Sequence, residues 1–577
     1  MPIHNSDIAQ NLKQIADLLE IKGANRFRVR AYNTAARNIE TATENIRDLV
    51  DQEVDLTELP GIGKDIAEKI HQLIKIGKIP ALEELKQELP AGLLEMLDVE
   101  GLGPKRVKRL YEELDITNLA ELQAAAQEER IRRLDGFGEK IEQKILQNIK
   151  NKSAQEKRML LYRALEIVEP LKKYLQKIKS VSEVEVAGSY RRKKETVGDL
   201  DIIVASEQGE KVIKKFVHYE DVTRVISQGE TRSSVVLRGG LQVDLRVVEA
   251  ESFGAALQYF TGNKQHNIQL RQLAIKQNCK LNEYGLFEKK GKQEKAIAGA
   301  SEPEIYQKLG LDFIGPELRQ GQREIKAAQE KKLPHLVTVQ DVKGDLQMHS
   351  QASDGAATLK AMALTCKELG YEYMAITDHS QNLKVAHGLD AKRYHEQFKK
   401  IAKLNNEIAD FVILKSAEVD ILKDGSLDLD EKILQEFDLV VCSIHSHFNL
   451  PEKEQTQRII KAMQSPFFHI WGHPTGRLIN SRDPYKFDWD QVLQAAKEKN
   501  CILEINAQPN RLDLDTWHAR QAKEVGVKLS LGTDAHQPQG LHFMQLGVDQ
   551  ARRAWLEPAD IVNCLPLKEL KQLLQKD

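Results

Sequence analysis

Two carboxylates on one face of a short apolar strand constrain this chain more than any other feature. Asp199 and Asp201 flank the start of the run Leu200–Val204, and side chains two residues apart on a strand point the same way. A second apolar run, 241–248, can bring Asp244 to them. Three carboxylates repel one another unless divalent cations neutralise them, and oxygen ligands suit Mg²⁺ bound together with phosphates. We therefore predict a magnesium site for phosphoryl or nucleotidyl transfer, with a solvated Asp-x-Asp turn as the alternative.

The turn before that strand carries residues that suit phosphate. Gly188 lets the backbone approach a phosphate closely, Ser189 offers a hydroxyl, and Arg192 can fork onto phosphate oxygens. The segment GSYRRKKETVGDLDIIV resembles the palm of family X DNA polymerases, the group that contains DNA polymerase beta. The resemblance implies an α+β nucleotidyltransferase palm in which the three carboxylates are catalytic and hold two Mg²⁺ ions. It also implies that Ser189 and Arg192 bind the β and γ phosphates of the incoming dNTP.

The resemblance continues towards the sugar and base of the nucleotide. The further nucleotide contacts that it implies are Tyr259, Phe260, Gly262, Asn267 and Arg271. One departure stands two residues before the third carboxylate, where Gln242 replaces an arginine of well-studied family members. That arginine assists at the primer 3′-hydroxyl, so the departure bears on catalytic efficiency and leaves metal binding unaffected.

Three related segments in residues 1–150 each follow the pattern helix, Gly-apolar-Gly turn, helix. Their central residues are Ile62, Leu102 and Phe137. Two glycines allow a tight turn whose backbone N–H groups face an anion together with the next helix N-terminus. This is the pattern of helix-hairpin-helix motifs, which hold the DNA backbone without reading sequence, and purely structural turns are the alternative. The expected DNA contacts are Gly61, Gly63, Lys64, Gly101, Gly103, Lys105 and Arg106.

The first of these segments, LPGIGKDIAEKI, also resembles the lyase domain of the same polymerase family. The resemblance implies that Lys69 is the Schiff-base nucleophile that removes a 5′-deoxyribose phosphate. An amine nucleophile needs a lowered pKa, usually from burial or from neighbouring cations such as Arg26, Arg28 and Arg30. A solvated helix lysine without this chemistry is the alternative.

The C-terminal part of the chain alternates apolar strand-like runs with helical patterns, as an α/β barrel does. Several runs end in His, Asp or Glu, and the strand ends of a barrel converge on one mouth. Imidazoles mixed with carboxylates suit Mn²⁺, Zn²⁺ or Fe²⁺.

The series resembles the PHP (polymerase and histidinol phosphatase) domain, which implies a distorted barrel with up to three Mn²⁺ or Zn²⁺ ions. The metal ligands implied by the resemblance are His349, Asp354, His379, Glu418, His445, His473, Asp534 and His536. Gln347 stands where the family usually has its first histidine, and its amide oxygen would be a weaker, neutral ligand. In polymerases this domain is associated with 3′→5′ exonuclease activity.

Composition fits a multidomain protein without a membrane partner. The chain has 577 residues, of which 41% are hydrophobic and 29% charged, and its net charge of −2 leaves DNA binding to local patches. The five cysteines are scattered without a CxxC, which argues against disulfides and thiolate zinc sites. No long apolar run and no signal-like start are present, so we expect a cytoplasmic protein. A monomer is expected.

The fold class predicted is multidomain, with all-α helix-hairpin-helix domains, an α+β palm with a small thumb, and an α/β distorted barrel. The predicted segments are 1–85 (lyase-like), 86–152 (fingers), 153–250 (palm), 251–315 (thumb), 316–336 (linker) and 337–577 (PHP). The predicted function is gap filling on gapped or primer-template DNA in base-excision or end repair, with an exonuclease that also processes 3′ ends or abasic sites. The alternatives are a template-independent nucleotidyltransferase, a non-catalytic DNA-end scaffold, and a barrel that acts as a small-molecule phosphatase.

Overall fold

The structure is a computed structural model that describes residues 5–40, 46–90, 92–97, 99, 101–152, 158–291 and 293–575. They belong to two compact units, Met1–Arg158 with Asn480–Arg482 and Met159–Ile479 with Asp483–Asp577. Within the described ranges, no helix combines the length and the apolar character needed to cross a membrane.

In the first unit, the regular elements in the described part of residues 5–152 are all helices, as predicted. Its helices are α1 (Asn5–Ile21), α2 (Arg26–Glu40), α3 (Ile46–Asp51), α4 (Lys64–Ile76), α5 (Pro80–Glu88), α6 (Gly92–Leu97), α7 (Pro104–Leu114), α8 (Leu119–Gln127) and α9 (Glu139–Lys152). Their apolar faces form two cores. One gathers around Leu12, Tyr32 and Ile70, and the other around Val107 and Leu122.

Each predicted Gly-apolar-Gly turn leads into a helix. The first glycine of each turn has a left-handed backbone, with φ of 75°, 91° and 78° at Gly61, Gly101 and Gly136, which favours glycine. The following helices α4, α7 and α9 each begin at the residue directly after the second glycine.

The palm is a five-stranded sheet with helices beside it. Its helices are α10 (Leu161–Gln176), α11 (Gly188–Arg191) and α12 (Gly209–Phe216). Its strands are β1 (Met159–Leu160), β2 (Glu183–Val186), β3 (Thr196–Val197), β4 (Asp199–Ala205), β5 (Val222–Gln228), β6 (Arg232–Leu237) and β7 (Gln242–Val248). The sheet order is β2-β4-β7-β6-β5, and β4 and β7 run parallel at its centre, while β1 and β3 form a separate antiparallel pair. This order places the two carboxylate-bearing strands side by side.

The thumb joins helices to a small antiparallel sheet. Its elements are α13 (Phe253–Thr261), α14 (Lys264–Lys276), β8 (Cys279–Asn282), β9 (Gly285–Lys290), β10 (Gln293–Ala298) and α15 (Glu302–Lys308). The predicted connector contains a 3-10 helix at Pro316–Leu318 and one α-helix, α16 (Glu324–Gln329). It packs closely, because buried Glu324 pairs with buried His266 at 2.9 Å.

The C-terminal part is a barrel of seven parallel strands in sequence order. The strands are β11 (Gly344–Asp345), β12 (Tyr373–Ile376), β13 (Val412–Asp420), β14 (Leu439–Ser443), β15 (Ile470–Trp471), β16 (Ile502–Asn506) and β17 (Leu529–Gly532). The helices are α17 (Leu359–Glu368), α18 (Ala391–Glu407), α19 (Glu431–Leu434), α20 (Glu452–Met463), α21 (Trp489–Glu498), α22 (Thr516–Val525), α23 (Met544–Arg553) and α24 (Leu567–Leu574). A bridge between Met348 and Ala535 joins the chain after β11 to the chain after β17 and nearly closes the barrel. This confirms the predicted barrel.

The palm and the barrel share one hydrophobic core. Barrel residues Leu512, Phe543 and Leu546 pack into the same cluster as palm residues such as Val168 and Leu245. Tyr162 of the palm meets Phe543 edge to face, with ring centroids 5.2 Å apart. The palm and the barrel are therefore packed against each other within the second unit.

Candidate active sites

The first candidate site lies at the edge where β4 and β7 run in parallel. Asp201 stands opposite Asp244 in the register, and Asp199 stands opposite Gln242. Burial raises the pKa of Asp201 to about 7, and the charges of Asp199 and Asp244 add to this. Carboxyls held this close favour a bound cation, so their surroundings fit a divalent metal. The structure brings the three carboxylates together, and metal binding by them stays a prediction.

The phosphate-type turn faces these carboxylates. Gly188 has φ of 64°, and a β-carbon there would lie 2.8 Å from Oδ2 of Asp201. Any residue larger than glycine would collide with a carboxylate. The Ser189 hydroxyl is buried and has no hydrogen-bond partner among the described residues, and such a group suits a ligand oxygen. The Arg192 guanidinium donates to the carbonyl of Thr261, which ties the turn to the thumb.

Both oxygens of Asp244 accept hydrogen bonds from neighbours. Ser234 donates its hydroxyl to Oδ1, and Gln242 donates from Nε2 to Oδ2 at 2.9 Å. The sequence analysis missed Ser234, which lies opposite Asp244 in the β6–β7 register. Gln242 therefore supplies a neutral donor to the third carboxylate.

The expected nucleotide contacts lie together at the end of α13 and the start of α14. The rings of Tyr259 and Phe260 meet at 5.0 Å, and the Arg271 guanidinium stands 5.5 Å from the Tyr259 ring centroid. Gly262 follows with φ of 64°. The amide of Asn267 accepts a hydrogen bond from Gln258 at 2.8 Å and donates one to the Tyr259 carbonyl at 2.7 Å. Asn267 would have to exchange these bonds to reach a base pair.

Two further arginines belong to this site and were missed. Arg246 stands 4.4 Å from the centroid of the Phe260 ring. It lies two residues after Asp244 on the same strand, so the alternation of the strand could have revealed it. Arg191 binds Glu302 through two bonds of 2.9 and 2.6 Å and donates to the Thr261 hydroxyl at 2.9 Å. Glu302 is 111 residues away, and no local pattern indicates this pair.

The three Gly-apolar-Gly turns expose their backbone, and not the central apolar side chain, to solvent. In each turn the central apolar residue is buried, and both glycines are exposed. Among the described residues, no atom lies within 4 Å of a β-carbon built at Gly63, Gly103 or Gly138. Lys64 and Lys105 are exposed beside the first two turns, and Arg106 donates to the Gly101 carbonyl at 2.7 Å. These surfaces have the room that a phosphate backbone requires, and DNA contact by the named residues stays a prediction.

Lys69 lies in a setting that stabilises its charged form. Its Nζ pairs with Asp65 Oδ1 at 2.5 Å, and the Tyr32 hydroxyl donates to the other oxygen of Asp65 at 2.7 Å. Burial lowers the pKa of Lys69, but hydrogen bonds with Asp65 and Tyr32 outweigh it, so that the pKa is raised above its ordinary value. A raised pKa opposes the neutral amine that Schiff-base chemistry requires.

The second candidate site is at the mouth of the barrel, where the predicted histidines and carboxylates converge. One group contains His349, Asp354, His379 and His536, and another contains His379, Glu418 and His445. Within each group the ligand atoms lie within 4.8 Å of one another.

The two remaining predicted ligands border these groups. Nε2 of His473 lies 2.9 Å from Oε1 of Glu418, and Oδ1 of Asp534 lies 3.1 Å from Nε2 of His349. All eight predicted ligands are therefore gathered at one site.

The chemistry of this donor set fits bound metal ions. Both ring nitrogens of His349, Nδ1 of His379 and Oε2 of Glu418 are buried and make no well-aligned hydrogen bond with a described residue. Carboxylate oxygens lie 3.1 and 3.4 Å from Nε2 of His349 and 3.2 Å from Nδ1 of His379. Buried polar atoms rarely stay unpaired, so a ligand such as a cation is the simplest partner for them. Burial lowers the pKa of His379 to about 3, which leaves its ring neutral and able to bind a metal. For His349 and His445 the neighbouring carboxylates outweigh burial and raise the pKa to about 9 and about 10, so a metal would displace a proton from these two rings.

Gln347 lies in the wall of the site beside Glu504. With its amide nitrogen facing that residue, Gln347 donates to Oε2 of Glu504 at 3.1 Å and also to Oε1. Burial and the charge of Asp534 raise the pKa of Glu504 well above its usual range. A bond from the Gln347 oxygen to a metal stays a prediction.

Two carboxylates that support the ligands were missed as site residues. Asp420 accepts a hydrogen bond from Nδ1 of His445 at 2.6 Å, and its position two residues after Glu418 on one strand could have indicated it. Asp378 accepts from the Ser350 amide and hydroxyl at 2.8 and 2.7 Å, and from Ser353 and Gln397, both at 2.6 Å. These bonds hold the loop that carries Asp354.

Five family models match most of the chain between residues 3 and 508. They are the helix-hairpin-helix domain (residues 3–79), the SAM-like helix-hairpin-helix tandem (93–151), the DNA polymerase beta palm (163–257), the DNA polymerase beta thumb (256–320) and the PHP domain (345–508). The order of the matches agrees with the helical, palm, thumb and barrel parts of the structure.

Curated relatives match at two scales. The DNA polymerase/3′-5′ exonuclease PolX of Bacillus subtilis is 40% identical over 577 residues, covering 100% of both chains. A probable phosphatase of Syntrophotalea carbinolica is 28% identical over 229 residues, which cover 38% of this chain and 90% of that protein. A probable phosphatase of Thermoanaerobacter sp. is 32% identical over 203 residues, which cover 33% of this chain and 78% of that protein.

Proposed function

The chain belongs to the family X DNA polymerases that carry a PHP domain, and on that premise we propose a role for each site residue. It is a DNA polymerase with a 3′→5′ exonuclease, and both activities depend on metal ions. The observation that best supports the residue assignments is the convergence of three palm carboxylates at one point and of eight predicted barrel ligands at another. Each set is suited to its own reaction.

In the palm, Asp199, Asp201 and Asp244 would hold two Mg²⁺ ions, which supply charge neutralisation and Lewis-acid help when bound. Ser189 and Arg192 would bind the β and γ phosphates of the dNTP. The primer 3′-hydroxyl loses its proton to Asp244 or to a water and attacks the α-phosphate. One phosphodiester bond forms, and the bond to pyrophosphate breaks.

The thumb residues would position the nucleotide for this step. Tyr259, Phe260 and Gly262 would contact the sugar, while Asn267 and Arg271 would contact the minor-groove side of the new base pair. Asn267 and Arg271 are linked in the structure by a hydrogen bond of 3.3 Å from Nε of Arg271 to the Asn267 carbonyl. Nucleotide binding would therefore rearrange a connected pair.

The hairpins would hold short gapped DNA through backbone amides and the basic residues beside them. Sequence-independent contacts of this type suit gap filling in base-excision or end repair. Gly61, Gly63 and Lys64 would contact one stretch of backbone. The second stretch would be contacted by Gly101, Gly103, Lys105 and Arg106.

In the barrel, the eight gathered residues would hold up to three Mn²⁺ or Zn²⁺ ions, which supply a nucleophile and brace the leaving oxygen when bound. The shared position of His379 in both groups would make it central to that set. The same site would trim 3′ ends or abasic lesions before the gap is filled.

One experiment tests both sites in the full chain. Labelled one-nucleotide-gapped DNA is incubated with Mg²⁺ or Mn²⁺, with and without dNTPs. We expect Asp201→Ala to abolish extension and keep 3′ degradation, and His379→Ala to show the reverse. Extension by Asp201→Ala would refute the palm assignment, and addition without a template would favour the template-independent alternative.

A second reaction for the barrel is favoured by the relatives named probable phosphatases. A phosphatase hydrolyses phosphate monoesters, whereas the proposed exonuclease cleaves diesters. Comparing p-nitrophenyl phosphate with labelled single-stranded DNA under Mn²⁺ separates them. Efficient monoester turnover with no 3′ degradation would assign the barrel to small molecules.

A further inference from the structure

A loop at the mouth of the barrel carries an arginine that the proposed mechanism does not yet use. Residues 507–514 follow β16, which ends at Asn506. The carboxyl ends of parallel strands share one side of a barrel, so this loop lies on the side where the ligands converge. Its arginine is Arg511.

The loop is fastened on one side by two residues from neighbouring segments. Arg477 donates from Nε to the carbonyl of Arg511 at 2.9 Å and also to the carbonyl of Leu512. Gln550 of α23 donates to the carbonyls of Leu512 and Leu514 at 3.3 and 3.1 Å. These bonds fix the backbone at Arg511 and at the residues that follow it.

The loop is also bound to two segments that each carry a predicted metal ligand, Asp534 in one and His473 in the other. Gln508 donates from Nε2 to the carbonyls of Thr533 and Asp534 at 3.0 and 2.7 Å. Asp513 accepts from the Thr475 amide and hydroxyl at 3.0 and 2.9 Å, two residues after His473. The loop is thus held in place before any substrate arrives, which lowers the cost of binding.

The side chains of the two neighbouring arginines differ in one respect. Arg477 uses its guanidinium for the loop carbonyls and for an ion pair of 3.1 Å with Glu195. The half-buried Arg511 side chain makes no hydrogen bond or ion pair with any described residue. Arg511 lies between Gln508, which binds the carbonyl of Asp534, and Asp513, which binds Thr475 two residues after His473. The loop therefore carries a positive charge without a hydrogen-bond partner beside two predicted metal ligands.

A guanidinium without a hydrogen-bond partner at this position can bind an anion that enters the mouth of the barrel. A guanidinium can bind two oxygens of a phosphate at once, and such charge-assisted bonds are strong. We propose that Arg511 binds a phosphate oxygen at the 3′ end of the DNA during the exonuclease reaction. The inference rests on the proposed exonuclease and names a substrate contact beyond its metal ligands.

The test compares Arg511→Gln, Arg511→Lys and wild type as full chains. The control is Lys497→Gln, which removes an exposed charge from α21, before β16 at the other end of the barrel. Degradation of labelled single-stranded DNA and cleavage of bis(p-nitrophenyl) phosphate are followed with Mn²⁺. Mn²⁺ binding by calorimetry and primer extension are measured on the same preparations.

We expect Arg511→Gln to raise KM and lower kcat/KM about 10- to 100-fold on both substrates, with Mn²⁺ binding and extension unchanged. Arg511→Lys should recover part of the loss because it restores the charge. Wild-type kinetics in Arg511→Gln would overturn the inference, and so would loss of Mn²⁺ binding, which would mark a structural role. A wild-type chain that extends primers but degrades no DNA would instead refute the proposed exonuclease.

Discussion

At Gly188 a β-carbon would stand 2.8 Å from an oxygen of Asp201, and the backbone already has φ of 64°. Gly239 also has a left-handed backbone, with φ of 84°, but no atom of the described part of the chain lies within 4 Å of a β-carbon built there. Both positions have a left-handed backbone, which would strain any residue with a β-carbon, and they differ in the carboxylate contact. They therefore allow the strain and the contact to be tested separately.

We predict that Gly188→Ala lowers kcat/KM for primer extension about 100-fold, because the added methyl displaces a metal ligand. Gly239→Ala should lose only about 1 kcal/mol of unfolding free energy and keep its extension rate. Steady-state extension and chemical denaturation measure the two effects. Equal losses of activity in both variants would show that the contact with Asp201 has no special role.

The environment of Lys69 determines how its reactivity as a Schiff-base nucleophile depends on pH. The pKa of Lys69 is raised in the folded protein, so the side chain remains an ammonium throughout the neutral pH range. Below that pKa, the fraction of Lys69 in the neutral amine form increases about tenfold with each pH unit. We predict that borohydride trapping on 5′-deoxyribose-phosphate DNA is weak at pH 7 and rises steeply with pH. Asp65→Asn should increase trapping at pH 7, because it removes the partner that holds the charge.

Lys69→Ala is the control for this measurement. If it traps as much DNA as the wild type, another amine performs the reaction. Trapping that is the same at pH 7 and pH 9 would contradict the raised pKa.

Among the elements, the loop 350–354 depends on one carboxylate for its shape. Asp378 accepts four hydrogen bonds, three of them from Ser350 and Ser353. We predict that Asp378→Ala lowers the unfolding free energy by about 3 kcal/mol or more, since it leaves buried donors unpaired, and that it abolishes the exonuclease. Primer extension should persist. Thermal melting and 3′ degradation with Mn²⁺ provide the measurements.

Asp390→Ala is a matched control, because Asp390 caps α18 with a bond of 2.9 Å to the Arg393 amide. Loss of a helix cap costs about 1 kcal/mol and should leave the exonuclease active. An equal loss of exonuclease in both variants would mean that general stability, and not the loop, sets the activity.

The secondary-structure elements show which features of the structure can be predicted from the sequence. Strand alternation placed Asp199 and Asp201 on one face, and repeated glycine turns located the three hairpins. Both signals are local, since they depend on neighbouring residues. The ligand set came from a family resemblance, and the structure gathers its members. The pairing of Gln347 with Glu504, 157 positions later, has no local signal, because it exists only once the barrel closes.

For the whole second unit, a connection between the palm and the barrel was absent from the sequence analysis. Glu195 of the palm pairs with Arg477 of the barrel at 3.1 Å and accepts a bond from Gln550 at 3.3 Å. Leu512, Phe543 and Leu546 pack into the palm core. These contacts join residues up to 355 positions apart, a distance over which sequence patterns carry no signal.

We predict that Glu195→Gln lowers the exonuclease rate about tenfold, because Arg477 loses its partner and holds the loop of Arg511 less firmly. Extension should change less than about twofold, since the palm carboxylates keep their places. Glu185→Gln is the control, because Glu185 pairs with Lys172 of the palm at 2.9 Å. Identical exonuclease rates in both variants would contradict a role for the Glu195 contact.

The shared core of palm and barrel has a practical consequence. Cutting the chain near residue 337 to obtain a polymerase without the exonuclease would expose a hydrophobic surface on each fragment. Exposed hydrophobic surfaces of this kind promote aggregation. A proofreading-deficient version for laboratory use is better made by exchanging one histidine at the barrel mouth, which leaves the scaffold whole.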